Sequence, residues 1–206
     1  MKNIALFFGS YNPCHNTHIK VAECVSKLDY IDEVQLVVSP QNPFKHDLAD
    51  YNDRFNMCEL SVENYANITV NHIERYLPLP SFTINALNEL SKLNPDTKYY
   101  MIMGLDIFLD IDKWKSYKVI CEKYPFLVLP RDFDIETNEK CFIYKKTELL
   151  NSNVIINKDT VFLKDFKISS LSSTKIRNSV ANSEDISIFV PETVNKYIHQ
   201  HNLYKI

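Results

Sequence analysis
The sequence predicts an α/β protein: a Rossmann-like, doubly wound parallel sheet with helices on both faces. Three observations carry that expectation. Residues 4–8, 99–103 and 126–129 are short apolar runs and 34–38 is broken only by Gln35, as strands buried on both sides require. Between them lie stretches with helical apolar spacing, and strands that alternate with helices build covered parallel sheets. Polar residues then collect directly after the strands, where open α/β sheets bind their ligands.

Ile4, Ala5, Leu6, Phe7 and Phe8 form the first strand, and Gly9, Ser10, Asn12 and Pro13 turn the chain after it. A helix follows on the spacing of Ile19, Ala22, Val25 and Leu28. His15 and His18 stand at its mouth. Free N–H groups and the positive end of the dipole attract anions there, and two imidazoles add donors suited to a phosphate chain. The same H-x-x-H is also half of a zinc site. Tetrahedral zinc wants three or four ligands, however, and no Cys or His partner lies nearby at ligand spacing. Cys14 reads as a small hydrophobe.

Residues 34–38 are the second strand, and residues 39–43 an irregular loop. Phe55, Cys58, Leu60 and Val62 give helical spacing to residues 53–62, with a cap at Asn52 or Asp53. Residues 68–70 are the third strand. Ser81 reads as the N-cap of a helix carrying Ile84, Leu87, Leu90 and Leu93. The next strand, 99–103, is closed by Gly104, and 126–129 by Pro130. Residues 132–153 read as a polar, irregular, solvated excursion with Lys145 and Lys146 at its surface. Ser172 or Ser173 caps a last helix bearing Ile176 and Val180, with Arg177 about one turn in. Hydroxyls, amides and a guanidinium make a second phosphate cradle. Taken alone, the same residues are equally an N-cap with a solvated arginine.

A chain of 206 residues suits one domain, 1–206, with a helical C-terminal portion from about residue 170. Hydrophobic residues at 45% and charged ones at 24% match globular proteins and speak against disorder. With 23 Lys and Arg against 26 Asp and Glu, the net charge of −3 offers no global attraction for nucleic acid. An enzyme acting on polyanions must then concentrate positive charge locally. Five scattered cysteines, without a secretory leader, read as reduced thiols of a cytoplasmic protein. No apolar run approaches the ~20 residues of a membrane span. Oligomeric state stays open, a homo-oligomer included.

The chain resembles the nucleotidyltransferase α/β superfamily and, within it, the bacterial nicotinate mononucleotide adenylyltransferases. That family opens with a strand and G-[GST]-[FY]-[DN]-P-x-H-x-G-H, matched by Gly9-Ser10-Tyr11-Asn12-Pro13-Cys14-His15-Asn16-Thr17-His18. It closes with I-S-S-T-x-I-R, matched by Leu171-Ser172-Ser173-Thr174-Lys175-Ile176-Arg177. Between them, in family order, stand Ser39-Pro40-Gln41-Asn42-Pro43-Phe44-Lys45, Arg54-Phe55-Asn56-Met57, Glu74-Arg75 and Pro80-Ser81-Phe82-Thr83-Ile84. Gly104-Leu105-Asp106 with Trp114, and Leu129-Pro130-Arg131, complete the series. H-x-x-H alone marks the superfamily; the ending and the central segments narrow it.

The resemblance implies ATP and nicotinate mononucleotide as substrates, deamido-NAD and pyrophosphate as products, and Mg2+ accompanying ATP. It assigns His15, His18 and Arg177 to catalysis at the triphosphate. Gly9, the backbone around Ser10 and Tyr11, Ser173 and Thr174 would hold phosphates, and Gly104 and Asp106 a ribose. Asn12, Lys45, Thr83, Trp114 and Arg131 would form the mononucleotide side, Trp114 stacking on the pyridine ring. Read from residues alone, Lys45 is equally a solvated lysine and Arg131 equally the partner of an acid. Phe8 and Thr17 depart from the family, each standing where a glycine is usual. An active enzyme that tolerates Thr17 is expected. The alternatives are a transferase for nicotinamide mononucleotide or phosphopantetheine, and a binding module whose catalysis is lost.

Overall fold
The computed structural model describes residues 1–41, 47–130, 134–166 and 171–205. Its centre is one sheet of six parallel strands: β1 (Lys2–Gly9), β2 (Glu33–Val38), β3 (Ile68–Asn71), β4 (Thr97–Gly104), β5 (Phe126–Leu129) and β6 (Val161–Phe162). The helices are α1 (Asn16–Ser26), α2 (Tyr51–Val62), α3 (Thr83–Leu93), α4 (Leu105–Leu109), α5 (Tyr117–Lys123), α6 (Ile135–Asn151), α7 (Ser173–Ala181) and α8 (Glu192–Gln200). The spatial order is β3-β2-β1-β4-β5-β6, the doubly wound arrangement. The chain builds outward from β1 in one direction and from β4 in the other. The order therefore reverses between them, and a crevice opens at their carboxyl ends. Pairing of Gly9 with Val38 and of Gly104 with Leu129 aligns those ends along one rim.

Alternation along each strand sorts the core into two layers. Ile4 and Leu6, with Met101, Met103, Phe126 and Val128, pack beneath α3, α4, α5 and α6. Ala5, with Tyr100, Ile102, Leu127 and Leu129, packs beneath α1 and α2. The central strands β4 and β5 are apolar on both faces in residues 99–103 and 126–129, whereas toward the β3 edge Glu33, Gln35, Thr69 and Asn71 alternate with buried Val34, Leu36, Ile68 and half-buried Val70. A third cluster, including Met57, Ile176, Val180, Val194 and Ile198, seats α7 and α8 on α2. That seat carries the second motif to the first.

Several boundaries differ from the sequence-based expectation. Helix α2 begins earlier, because Asp50 accepts the Asn52 N–H at 2.7 Å and is the cap. Helix α3 begins after Phe82, not Ser81. Residues 132–153 are no excursion, since α6 fills 17 of those positions. Asp134 caps it by accepting the Thr137 N–H at 3.0 Å, and Asn138, Phe142, Lys145 and Leu149 form its buried stripe. Two polar residues in that stripe hid the helical period. Lys145 is accordingly buried, not a surface lysine. The expectations for Lys45, Arg131 and residues 168–170 lie outside the described residues. Among the described residues, no helix is long and apolar enough to cross a membrane.

Candidate active site
Strand β1 ends at Gly9, and residues 10–15 turn into α1 as a buried loop. Tyr11 has φ +47°, a left-handed conformation that is costly for a bulky residue. Its ring folds back under the strand, and its hydroxyl donates to the Phe7 carbonyl. A Cβ on residue 9 would lie 2.9 Å from that ring. Glycine is needed here to admit the tyrosine and not for a left-handed turn, for no glycine has positive φ.

His15 is the N-cap of α1, with extended backbone, and His18 is the third helical residue. Their side chains form a reciprocal capping box. His18 Nδ1 accepts the His15 N–H at 3.3 Å. That role needs the Nδ1 lone pair, so the proton of neutral His18 sits on Nε2, a donor directed away from the cap. The two rings stack with centroids 3.7 Å apart, and Tyr11 braces His18 edge-on at 4.9 Å. His15 is 3% exposed, while His18 is half-buried. The spacing thus does more than place two donors: it locks them to each other.

The mouth of α1 is less open than the sequence suggests. Phe189 O takes the Asn16 N–H at 2.9 Å, and His15 O takes the His18 N–H at 2.8 Å. Donors for an anion shift toward the imidazoles and to α7. Thr17 is buried in the first turn and lies outside the set of positive-φ residues. Its backbone therefore carries no left-handed strain, and the position that is glycine in the family motif accepts a Cβ here.

The second motif rests on the first. Ser172 caps α7, its Oγ accepting the Lys175 N–H at 3.3 Å. Ser173 Oγ donates to Pro13 O at 3.0 Å, across 160 positions of sequence. Arg177 Nη1 donates to Asn12 O at 3.0 Å and Nη2 to Thr174 Oγ1 at 3.4 Å. A guanidinium carries five N–H donors, so these contacts leave it capacity for a ligand.

Asn12, expected on the mononucleotide side, has its side chain in internal bonds. Its Oδ1 accepts from Ala49 N at 3.1 Å and from the Tyr204 hydroxyl at 2.9 Å. Burial pushes the Tyr204 phenol well above its usual range, keeping it a donor. No local pattern near the C-terminus marks Tyr204 as part of this loop. Arg54 is likewise inward. It is 1% exposed and donates to the carbonyls of Ala49 (2.9 Å), Ser10 and Ser39 (2.7 Å each) and Pro40 (2.9 Å). It ties the loops after β1 and β2 together.

Beyond β4, Gly104 caps α4 and Asp106 is exposed in its first turn. Trp114 closes a 3-10 turn, Ile111–Lys113, and is half-buried against the core under α4 and α6. The next residue, Lys115, holds its ammonium 4.4 Å over the ring of Phe82, the cap of α3. This contact links the segment that carries Trp114 to the start of α3, whose first residue is Thr83. Glu74 is buried nearby in sequence to α3. Burial raises its carboxyl pKa, and the hydroxyls of Ser39 and Ser81 draw it back.

The imidazole pair, the Arg177 guanidinium and the α7 hydroxyls meet around the loop that leaves β1 beside the sheet's switch point, an arrangement suited to the phosphates of a nucleotide. The model of the cytidylyltransferase-like family matches residues 6–179. A relative from Flavobacterium johnsoniae, named "Probable nicotinate-nucleotide adenylyltransferase", is 32% identical over 98% of each chain. One of the same name from Bacteroides fragilis is 32% identical over 95% of this chain and 90% of its own. The solved structure of Plasmodium falciparum nicotinic acid mononucleotide adenylyltransferase complexed with NaAD shares the fold. Its TM-score is 0.77 at 22% identity, covering 99% of this chain and 98% of that one. The chain belongs to the cytidylyltransferase-like family and, within it, to the nicotinate-nucleotide adenylyltransferases.

Proposed function
We propose that this chain transfers the adenylyl group of ATP to nicotinate mononucleotide, forming deamido-NAD and releasing pyrophosphate. The observation that carries the reading is the meeting of the two motifs at Asn12 and Pro13, where Ser173 and Arg177 bond to the loop that leads into the histidine pair. A phosphate oxygen of the mononucleotide attacks the α-phosphorus of ATP, and the bond to the bridging oxygen of pyrophosphate breaks. Such transfers ask for positioning and charge stabilisation more than for covalent chemistry. His18 donates from Nε2, and His15 and Arg177 share the charge that develops on the leaving pyrophosphate. The backbone of Ser10 and Tyr11, with Ser173 and Thr174, holds phosphates, and Gly104 and Asp106 hold the ribose. Trp114 stacks on the pyridine beside Thr83, with Lys45 and Arg131 on the same side. Asn12 acts from behind the loop, by ordering it.

Magnesium comes with ATP as part of the substrate, held by phosphate oxygens and water. Among the described residues no three His, Cys, Asp or Glu side chains gather around one point. The donors at this site suit phosphate oxygens. The five free thiols suit a reducing cytoplasm.

Arg177→Lys tests the placement of the α7 cradle. The ammonium keeps the charge and loses the fork. KM for ATP is expected to rise by about tenfold, ~1.4 kcal/mol, with KM for nicotinate mononucleotide within about twofold of the parent. Initial rates at varied concentrations of each substrate give both values. A rise confined to the mononucleotide would place α7 at the other substrate.

A further inference from the structure
One buried cation takes no part in this chemistry. Lys145, on α6, is 5% exposed. Its Nζ lies 3.0 Å from Asp112 Oδ1 and 3.5 Å from Glu148 Oε2. Burying an ammonium is costly unless it is paired, so a lysine in a helix's core-facing stripe calls for a reason. Glu148 is on the same helix and only neutralises it. Asp112 is in the Ile111–Lys113 turn, two residues before Trp114. Among the described residues the other hydrogen bonds and ion pairs of that segment are local: Trp114 N–H to Ile111 O at 3.0 Å, Tyr117 N–H to Trp114 O at 3.2 Å, and Lys113 to Asp110 at 2.7 Å. Local bonds shape a turn without fixing where it sits. Ile111 anchors this one by apolar burial, Lys115 rests its ammonium on Phe82, and Lys145 supplies a directional ion-paired link to α6.

We propose that Lys145 is a positioning residue for the acceptor substrate: through Asp112 it holds the turn that presents Trp114 to the pyridine ring. The inference rests on the reading that Trp114 stacks on that ring. The Lys145 hydrogen bond also holds the Asp112 carboxyl below its usual range, as a formed link should.

Trp114 is the only tryptophan in the chain, so intrinsic fluorescence reports on it directly. Lys145→Met and Asp112→Asn are expected to shift the emission of the full-length protein. Each should raise KM for nicotinate mononucleotide about tenfold, with KM for ATP within about twofold. Lys145→Arg, which keeps charge and reach, should restore both. Asp112 is 41% exposed at its side chain, so Asp112→Asn leaves no void and serves even if Lys145→Met fails to fold. Unchanged emission in Asp112→Asn, or equal rises in both KM values, overturns the proposal. Shifted emission in these variants, with a mononucleotide KM unchanged both in them and in Trp114→Ala, overturns the stacking role of Trp114 and leaves the anchor standing.

Discussion
His18→Ala lowers turnover by ~10²-fold or more, the cost of removing a preorganised donor from developing charge. His18 Nδ1 is already engaged by the His15 N–H, so Nε2 is poised before substrate arrives. Little reorganisation is then needed at the moment of transfer. His15→Ala should match that loss in turnover and add a loss of stability. Its position at a loop mouth suggests a mild effect on folding, but it is buried, caps α1 and stacks on His18. Loss of an N-cap costs ~1 kcal/mol, and the missing ring leaves a void beside it. His15→Asn separates the two effects, because asparagine caps well and lacks the imidazole. It should melt close to the parent and still turn over slowly. Steady-state kcat with thermal unfolding decides this, and near-parental turnover in His18→Ala would remove the pair from catalysis.

Arg54→Met has the largest expected effect on the fold. Four backbone carbonyls lose their donor together, and three of them border the loops that frame the crevice. A hydrogen bond to a charged group contributes ~1.5–3 kcal/mol, with more lost when the partner stays buried. The bonds share one side chain and do not add simply. A loss of ~3–5 kcal/mol is expected, a large share of the ~5–15 kcal/mol of a typical domain. Tm should fall by roughly 10 °C for a chain of this size. Arg54→Lys should recover little, since an ammonium cannot reach four acceptors spread around a fork. Thermal unfolding by circular dichroism measures both, and a Tm within about 2 °C of the parent would show that the loops are held by other contacts.

The architecture was legible because burial on both faces writes itself into the strands: residues 99–103 and 126–129 carry no polar side. Order and parallelism follow from the helices between them. Helix α6 was not legible, because its buried stripe includes Asn138 and Lys145, and their partners lie on other elements or on the helix itself. Strand β6 spans two residues, too short for a period. Among candidate site residues, the histidine pair and the α7 motif are visible because local spacing sets their geometry. Which way a side chain faces is a tertiary matter. Asn12 looks like a ligand group in sequence and turns inward in space, Arg54 gives no sign in sequence of the four carbonyls it binds, and Tyr204 reaches the loop through the packing of α7 and α8 on α2.

The most direct measurement is pyrophosphate release by the purified chain with magnesium, ATP and each acceptor in turn, with the nucleotide product identified. Nicotinate mononucleotide should give pyrophosphate and deamido-NAD in equal amounts, faster than nicotinamide mononucleotide gives its product, and phosphopantetheine should give none. ATP binding without pyrophosphate release from any acceptor would make the chain a binding module. Restoration of release by Thr17→Gly would then trace the loss to the residue between the histidines.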